Sequence, residues 1–550
     1  MGGRTVLNYG QKVKKQQYKE IWQEYCGFLD LSIDEYMGIQ YRLMEEQIKV
    51  WTASGLGQMF LNGKKPQTVE DFRRVVPLTT YGDYADVLLG KQTDMLPGEP
   101  VIWLQTTWEG GKHPIKVAPY TRAMLDVFKS NLLAVTVLGS CGETQKTRQQ
   151  NGDRVLFGLA PLPYVTGLFP VIFAEEVDFK FLPPVKEALS MSFGERNRKG
   201  FSLAMQQGID LFFGLSSVIY YVTENFSDSI KSNSSGSMLK KAVHMRPKMI
   251  YRYLRAKFQC SKEGREIKPK DLFKLKSLVC AGTDTASYKE ALRDAWGIKP
   301  LEIFAGTEVS MAATETQTRN GMVFFPDNCF YEFIPEDEFY KELADPSYQP
   351  ATVLMNELVP DHNYELVISV LKGGAFARYR IGDMFRCISN GGDKSTSLPQ
   401  LVFLDRVPTV IDIAGFTRIT EHSIEEVIEL SGLAVKHWIA RKEFDGKRRP
   451  FLHLYVEMDE KELDHIAISK QILKEHLEVY FTYFDTDYRD LKKMLGIEPL
   501  QITILKCGTV DEYAKRTGKK LRRLNPSAFE LSEFMKFDSQ PDGAEWRCRQ

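Results

Sequence analysis

The chain has 550 residues, enough for one large α/β unit plus a smaller one, and its 43% hydrophobic and 26% charged residues are ordinary globular values. Seventy-two Lys and Arg balance 72 Asp and Glu, which excludes a global field drawing the chain to nucleic acid or an anionic membrane. Eight scattered cysteines without a C-x-x-C, and eight histidines without H-x-x-x-H or H-E-x-x-H spacing, argue against a disulfide framework and against a protein-ligated transition metal.

The N-terminus lacks an apolar signal core, and Val6 stands where a myristoylation signal wants Ser or Thr. Residues 11–61 carry apolar positions at helical spacing (Tyr18, Ile21, Trp22, Tyr25), with Ser32 and Glu35 as a capping-box pair. The stretch 75–88 reads as a turn entering a helix. VIWLQ (101–105) and RVLFGLA (154–160) read as strands. The most apolar stretch, 159–174, is too short and too proline-broken for a membrane helix, so a soluble, cytoplasmic protein is expected. LKSLVCAG (275–282), TASYKEALRDAWG (285–297) and LEIFAG (301–306) read as strand, helix, strand, a βαβ unit and hence a parallel sheet covered by helices. Loops starting at Gly282 and Gly306 then lie at the carboxyl ends of strands, where such sheets bind ligands. FYEFIP (330–335) and YELVISV (364–370) read as further strands, with a return strand after the Gly373-Gly374 turn that presents Asp383 at a turn. From about 405 a new α and β unit begins: IEEVIEL (424–430) and ISKQILKEHLEVYF (468–481) as helices, HLYVEM (453–458) and LQITILK (500–506) as strands. The expected division is a large domain over 1–405 and a small one over 406–550.

Four segments carry candidate chemistry. TTWEGGKHPIK (106–116) follows a strand, and its glycines (Gly110, Gly111) and lysines suit a phosphate cradle, though the segment alone reads more readily as a charged surface hairpin. In IFAGTEV (303–309), Thr307 beside Glu308 offers hard oxygens for Mg²⁺ with phosphate, or a helix N-cap. In RYRIGD (378–383), Asp383 can accept from two adjacent hydroxyls, or pair with Arg380 at the surface. RTGKKLRRL (516–524) is a solvated basic run or the carrier of one active-site lysine.

Taken in order, AGTEV, YEFIP, YELVIS, RYRIGD and the following Asp405-Arg406, with PLTTYGDY (77–84), GIDLFFGLSS (208–217) and AGTD (281–284), resemble the auxin-responsive acyl-acid amido synthetases of the adenylate-forming superfamily. The resemblance implies an α/β adenylate-forming fold with a mobile C-terminal domain, ATP and Mg²⁺ as cofactors, and a small carboxylic acid plus an amine, or a thiol such as coenzyme A, as partners. It implies that Thr307 touches the α-phosphate, Glu308 ligates Mg²⁺ and Asp383 binds the ribose. Arg406 would lie near ribose and phosphates, Asp405 would be the hinge, and Ala281, Gly282 and Thr283 would wall the adenine. Gly306, Lys116 and Tyr379 join the nucleotide set. Lys519, or Lys520 in the next register, would reach the α-phosphate during adenylation, and Leu162, Tyr164, Val165 and Phe212 would line the acyl pocket.

One segment departs from the family's pattern. Where relatives carry Ser, Thr and Gly, this chain places Trp108 and Glu109. A carboxylate about 5 Å from one phosphate charge costs about 3 kcal/mol at an effective dielectric near 20. Either Glu109 points away, or Lys112, His113 and Lys116 compensate, or the chain is a nucleotide- or acyl-binding relative with weak or no adenylation.

Overall fold

The computed structural model describes residues 7–106, 113–142, 145–227, 245–392, 395–415, 417–459, 466–484, 499–518 and 520–538. It divides into two compact units, the first Met1–Thr106 with Lys116–Leu404, the second Thr107–Ile115 with Asp405–Gln550.

In the first unit a short antiparallel hairpin, β1 (Ile102–Gln105) and β2 (Val117–Tyr120), stands apart from one large sheet. The strands of that sheet are β3 (Arg154–Gly158), β4 (Lys180–Leu182), β5 (Leu211–Leu215), β6 (Ser277–Ala281), β7 (Leu301–Gly306), β8 (Ser310–Glu315), β9 (Met322–Phe324), β10 (Cys329–Pro335), β11 (Asn363–Val370), β12 (Tyr379–Ser389) and β13 (Gln400–Arg406). They run in the order β10-β11-β12-β13-β9-β8-β7-β6-β5-β3-β4. From β4 to β7 the pairs are parallel, and from β7 onward they turn antiparallel. The βαβ unit expected at 275–306 is present: β6 and β7 pair in parallel, Val279 opposite Leu301, and the helix between them, Thr285–Trp296, stops at Gly297, whose φ of 73° suits glycine.

Three helices position the sheet. Helix α1 (Ile33–Ala53) begins with the expected box: Ser32 caps the Glu35 amide while the Glu35 carboxylate accepts from the Ser32 amide. Upstream of it, the helical stretch expected from residue 11 is broken into short pieces, including a π turn over Trp22–Cys26 and a 3-10 turn over Gly27–Asp30. Helix α2 (Arg122–Ser140), which no strand or helix pattern above anticipated, is long and apolar enough to cross a membrane by length and composition, yet 67% of that span is buried. It lies against β6, β7 and β8. Helix α3 (Phe193–Gln207) covers β3 and β4, opened by a second capping box from Ser192 and Glu195.

The return strand departs from expectation. Asp383 stands inside β12, not at a turn, and the turn proper ends before Tyr379. Val367 pairs with Arg380 and Glu365 with Met384, so Ile381, Gly382 and Asp383 together face only Leu366. This is a β-bulge, and Gly382 at φ 81° takes the left-handed conformation it requires.

The second unit holds a hairpin, β14 (Val410–Ile413) with β15 (Thr417–Thr420), and a three-stranded sheet of β16 (Val435–Phe444), β17 (Pro450–Met458) and β18 (Leu500–Leu505). Its helices are α4 (Glu421–Ser431), α5 (Ile466–Phe484), α6 (Thr509–Thr517) and α7 (Ala528–Asp538). Ile439, Tyr455, Leu505, Tyr513, Leu531 and Phe534 form a core of its own. The seven described cysteines are free thiols.

Candidate active site

Glycine ends both β6 and β7 on their carboxyl side, as the alternation of apolar runs and glycines suggested. After β7 the chain makes a tight turn through Thr307, Glu308 and Val309 into β8. Both site residues are almost buried, Thr307 at 6% and Glu308 at 8% exposure. The Thr307 hydroxyl donates to the carbonyl of Gln105 (2.9 Å), and its own carbonyl accepts from the Tyr120 phenol (2.8 Å). Gln105 in turn donates its amide to the carbonyl of Pro163, in the loop after β3 (3.1 Å). The end of β1 therefore ties the Thr307 turn to the loop that carries Leu162 and Tyr164. Thr307 caps no helix, and its proton is committed to Gln105, so presenting that proton to an anion requires rotation about χ1.

Glu308 gathers groups from three distant stretches. Tyr379, at the start of β12, donates its phenol to Glu308 (3.3 Å). The Lys116 ammonium lies 3.9 Å from the same carboxylate oxygen and 5.9 Å above the Tyr81 ring. Lys116 is fixed at its backbone: its amide donates to the Thr106 hydroxyl (3.0 Å) and its carbonyl accepts from the Thr106 amide (2.9 Å). Tyr81 braces the same segment, exchanging bonds with the Val117 amide (2.7 Å) and carbonyl (3.2 Å). Burial, with Glu308 adding to it, pushes the Tyr81 phenol up to about 12, so it stays neutral.

Tyr379 is 1% exposed, packed against Phe376 (4.6 Å) and Tyr84 (6.2 Å). Its hydroxyl meets Glu308 and orients that carboxylate. Further along β12 the Phe385 ring meets Phe304 of β7 (5.0 Å) and Phe403 of β13 (5.5 Å). Asp383, 2% exposed, is thus bracketed between two points where β12 meets the β7 segment. The bulge rather than a turn aims it.

The arginines around it have other work. Arg380 forks onto Glu365 (2.9 and 2.6 Å) and also holds Glu342 (2.7 Å), so the Arg380–Asp383 surface pair is not what forms. Arg378 forks onto buried Glu332 (3.1 and 3.0 Å), which Arg73 holds from the other side (3.0 Å). Burial alone would raise the Glu332 carboxyl, but Arg378 and Arg73 outweigh it and hold it below the usual range. Both pairs lock the strand from which Tyr379 and Asp383 project. They were invisible as pairs in the sequence because their partners lie far along the chain.

At the end of β6, Gly282 sits at φ 125°, and a Cβ there would come within 3.2 Å of the Ser216 hydroxyl. Its carbonyl accepts from the Thr285 hydroxyl (2.8 Å). Ala281 and Thr283 flank it, partly exposed, and Gly306 occupies the equivalent place on neighbouring β7. Of the expected acyl-pocket residues, Leu162 and Tyr164 are half-buried in the loop after β3. Val165 is 5% exposed within the main core, and Phe212 is fully buried between Phe201 (5.7 Å) and Trp296 (5.3 Å), so both serve packing and leave no surface for a ligand.

In the second unit Arg406 ends β13, its amide donating to the Asp405 carboxylate (2.8 Å), and Asp405 lies 4.0 Å from the Lys442 ammonium. Burial raises the Asp405 carboxyl, against the pull of Lys442. Lys520 is exposed just past the left-handed cap Gly518 of α6. Lys519, Gly110, Gly111, Trp108, Glu109 and Lys112 lie outside the described residues. Among the described residues, the ligand atoms of His437, Glu457 and Asp511 fall within 4.8 Å of one another. The Lys436 ammonium already stands 2.7 Å from Asp511 and 3.7 Å from Glu457, so a cation is supplied there by the chain itself.

Residues 322–406, which hold β9 to β13 with Tyr379 and Asp383, match the GH3 family central domain. That stretch resembles a GH3 central domain. Among solved structures, the GH3.15 acyl acid amido synthetase in complex with 2,4-DB is 16% identical to this chain, at a TM-score of 0.53 over 98% of this chain and 97% of that one. The 2-hydroxyisobutyryl-CoA ligase in complex with 2-HIB-AMP and CoA in the thioesterification state is 14% identical, with a TM-score of 0.56 over 86% and 87%. At these identities the likeness is one of fold, an α/β architecture like the one expected from the sequence. No curated protein matches it in sequence.

Proposed function

We propose that this chain is an adenylate-forming ligase that activates a carboxylic acid with ATP and passes the acyl group to an amine. The observation that carries the reading is the convergence on Glu308: Lys116, Tyr379 and the Thr307 turn come from stretches far apart in sequence and meet at one carboxylate. In the first half-reaction an oxygen of the acid attacks the α-phosphorus of ATP. The bond from that phosphorus to the pyrophosphate oxygen breaks, and pyrophosphate leaves. In the second, the amine nitrogen attacks the acyl carbon, loses a proton to solvent, and AMP departs with the electrons of the C–O bond.

The residues present fit Mg²⁺, which is commonly held by one or two carboxylates plus substrate phosphates. Glu308 is the carboxylate that would hold it, and the ion would supply charge neutralisation on the phosphate oxygens. The chain's own groups do the rest. Tyr379 fixes the Glu308 rotamer. Among the described residues Lys116 is the ammonium beside Glu308, poised to exchange it for an anionic oxygen. Asp383 is placed to accept from two ribose hydroxyls, and Lys519 is the candidate for the charge that develops at the α-phosphate. Arg406 and the Ala281–Thr283 edge complete the nucleotide set. An amine acceptor is favoured by the GH3 central domain; a thiol acceptor is the second reading, because the adenylate-forming fold is shared with a CoA ligase at a TM-score of 0.56.

The test is pyrophosphate release from MgATP with a panel of carboxylic acids, followed by product analysis with amino acids or coenzyme A. Release is expected with at least one acid, and it falls 100-fold or more in Glu308→Gln and Lys519→Ala. Asp383→Ala loses ATP affinity by about 10–100-fold, as expected for charge-assisted hydrogen bonds at about 1.5–3 kcal/mol. Nucleotide affinity by calorimetry that is the same in wild type and Asp383→Ala removes the ribose role. No pyrophosphate from any acid favours the weakly adenylating relative.

A further inference from the structure

Beside the loop after β3, a cleft opens between β3, β4 and the helix α3. Its walls are apolar: Phe157, Leu162, Val171, Phe181 and Leu189 among them. One charged side chain enters it, Arg196, in the first turn of α3. Arg196 is 3% exposed. Its one hydrogen bond runs from Nη2 to the carbonyl of Leu159, and its Nε is a buried donor that bonds to nothing. Among the described residues no carboxylate faces it. The nearest candidate in sequence, Glu195, points to solvent and caps Ser192 (2.8 and 3.0 Å). The guanidinium instead rests on two rings, Phe157 at 5.9 Å and Phe193 at 5.5 Å.

This is an unusual setting for a guanidinium. Buried charges are normally paired, because desolvation of an ion is costly. Here burial alone draws the guanidinium pKa down, to about 10, and no acidic neighbour raises it. The charge also sits at the end of a helix where the backbone dipole is positive, so the local potential is doubly unfavourable to a cation. Ring faces recover part of the cost, though they leave the Nε proton without an acceptor. Every one of these deficits is removed by an anion. The cleft offers about 50 Å³ of free space, against roughly 10–15 Å³ needed on this measure for one water. That suits a carboxylate and a few carbons, not a bulky ring system.

We propose that this cleft is a carboxylate-binding site: the free donors of Arg196 take the carboxylate of a small organic acid, and Phe157, Leu162, Phe181 and Leu189 hold its short carbon chain. Its place in the reaction rests on the ligase reading, since the bound carboxylate belongs either to the acid being activated or to an amino-acid acceptor. Binding itself does not depend on that reading. Arg planarity and two parallel N–H donors make it suited to a carboxylate over a single-point anion.

The experiment is calorimetric titration of the full chain with propionate, butyrate and succinate, each beside its amide. At least one acid is expected to bind, tenfold or more tighter than its amide, and to weaken tenfold or more in Arg196→Met, which keeps the volume and removes the charge. Leu189 is 69% exposed, so Leu189→Trp tests the same cleft from its mouth without disturbing the core, and it is expected to abolish binding. Equal affinity for acid and amide, an unchanged affinity in Arg196→Met, or no binding of any of the three acids to the folded wild type overturns the proposal. Should Arg196→Met fail to fold, the Leu189→Trp result decides. In the pyrophosphate assay a raised KM for the acid assigns the site to the activated substrate, and a raised KM for the amino acid assigns it to the acceptor. Absence of pyrophosphate with retained acid binding refutes the ligase reading alone.

Discussion

Glu302 shows how far a residue's chemistry can be displaced by its surroundings. It lies near the start of β7, with Lys289 at 3.4 Å, and Lys289 also contacts Glu315 of β8. Burial is the main force on its carboxyl and Glu315 adds to it; Lys289 opposes both, and the balance lifts the pKa to about 7. The folded state therefore holds a proton on Glu302 that the unfolded chain has released above about pH 4.5. Stability falls as pH rises from 4.5 through 7. Glu302→Gln mimics the protonated form, so it is expected to flatten that slope and to gain about 1–3 kcal/mol at pH 8. Urea midpoints measured at pH 5, 6, 7 and 8 check this, and a slope unchanged by the substitution contradicts it. The same scale separates the legible from the hidden. Glu308 and Asp383 stood out in sequence because an acid beside a glycine or hydroxyl after an apolar strand is chemically suggestive. Arg196 did not stand out, since a lone arginine in a helix is usually solvated.

At the scale of the element, the bulge in β12 decides the direction of Asp383. A regular strand would send residues 381, 382 and 383 alternately to opposite faces. Three residues opposite Leu366 break that alternation, and Gly382 at φ 81° makes the break possible. A side chain at that φ costs about 1–2 kcal/mol. Gly382→Ala is therefore expected to lower stability by about that amount and to weaken nucleotide binding at least tenfold by re-aiming Asp383. Calorimetry with ATP beside a denaturation curve separates the two effects; a loss of stability with full nucleotide affinity means the bulge is structural only. Element boundaries show why some features were read and others were not. The strands ending at Ala281 and Gly306 and the capping box at Ser32 announce themselves by local pattern. The C-terminal half of helix α2 is buried continuously from Leu132 to Ser140, so that half offers no amphipathic period to recognise. The bulge has no local signature beyond one glycine, which equally signals a turn.

For the whole molecule, the second unit has a core separate from the main one. A fragment of residues 405–550 is expected to unfold cooperatively in urea with near-UV circular dichroism of a packed core. A non-cooperative, linear response shows that this unit needs the rest of the chain. The sequence by itself determined the strand, helix, strand unit at 275–306, with its parallel pair, and the capping box at Ser32, because these follow from interactions between near neighbours: periodicity, caps and turns. Only the tertiary structure decided that Tyr379 orients Glu308, that Arg378 and Arg380 serve Glu332 and Glu365, that Phe212 and Val165 belong to the core, and that Arg196 stands in an apolar cleft with no acid among the described residues. Those are contacts between residues tens to hundreds of positions apart, and burial, which sets the strength of every charge among them, exists only once the chain has packed.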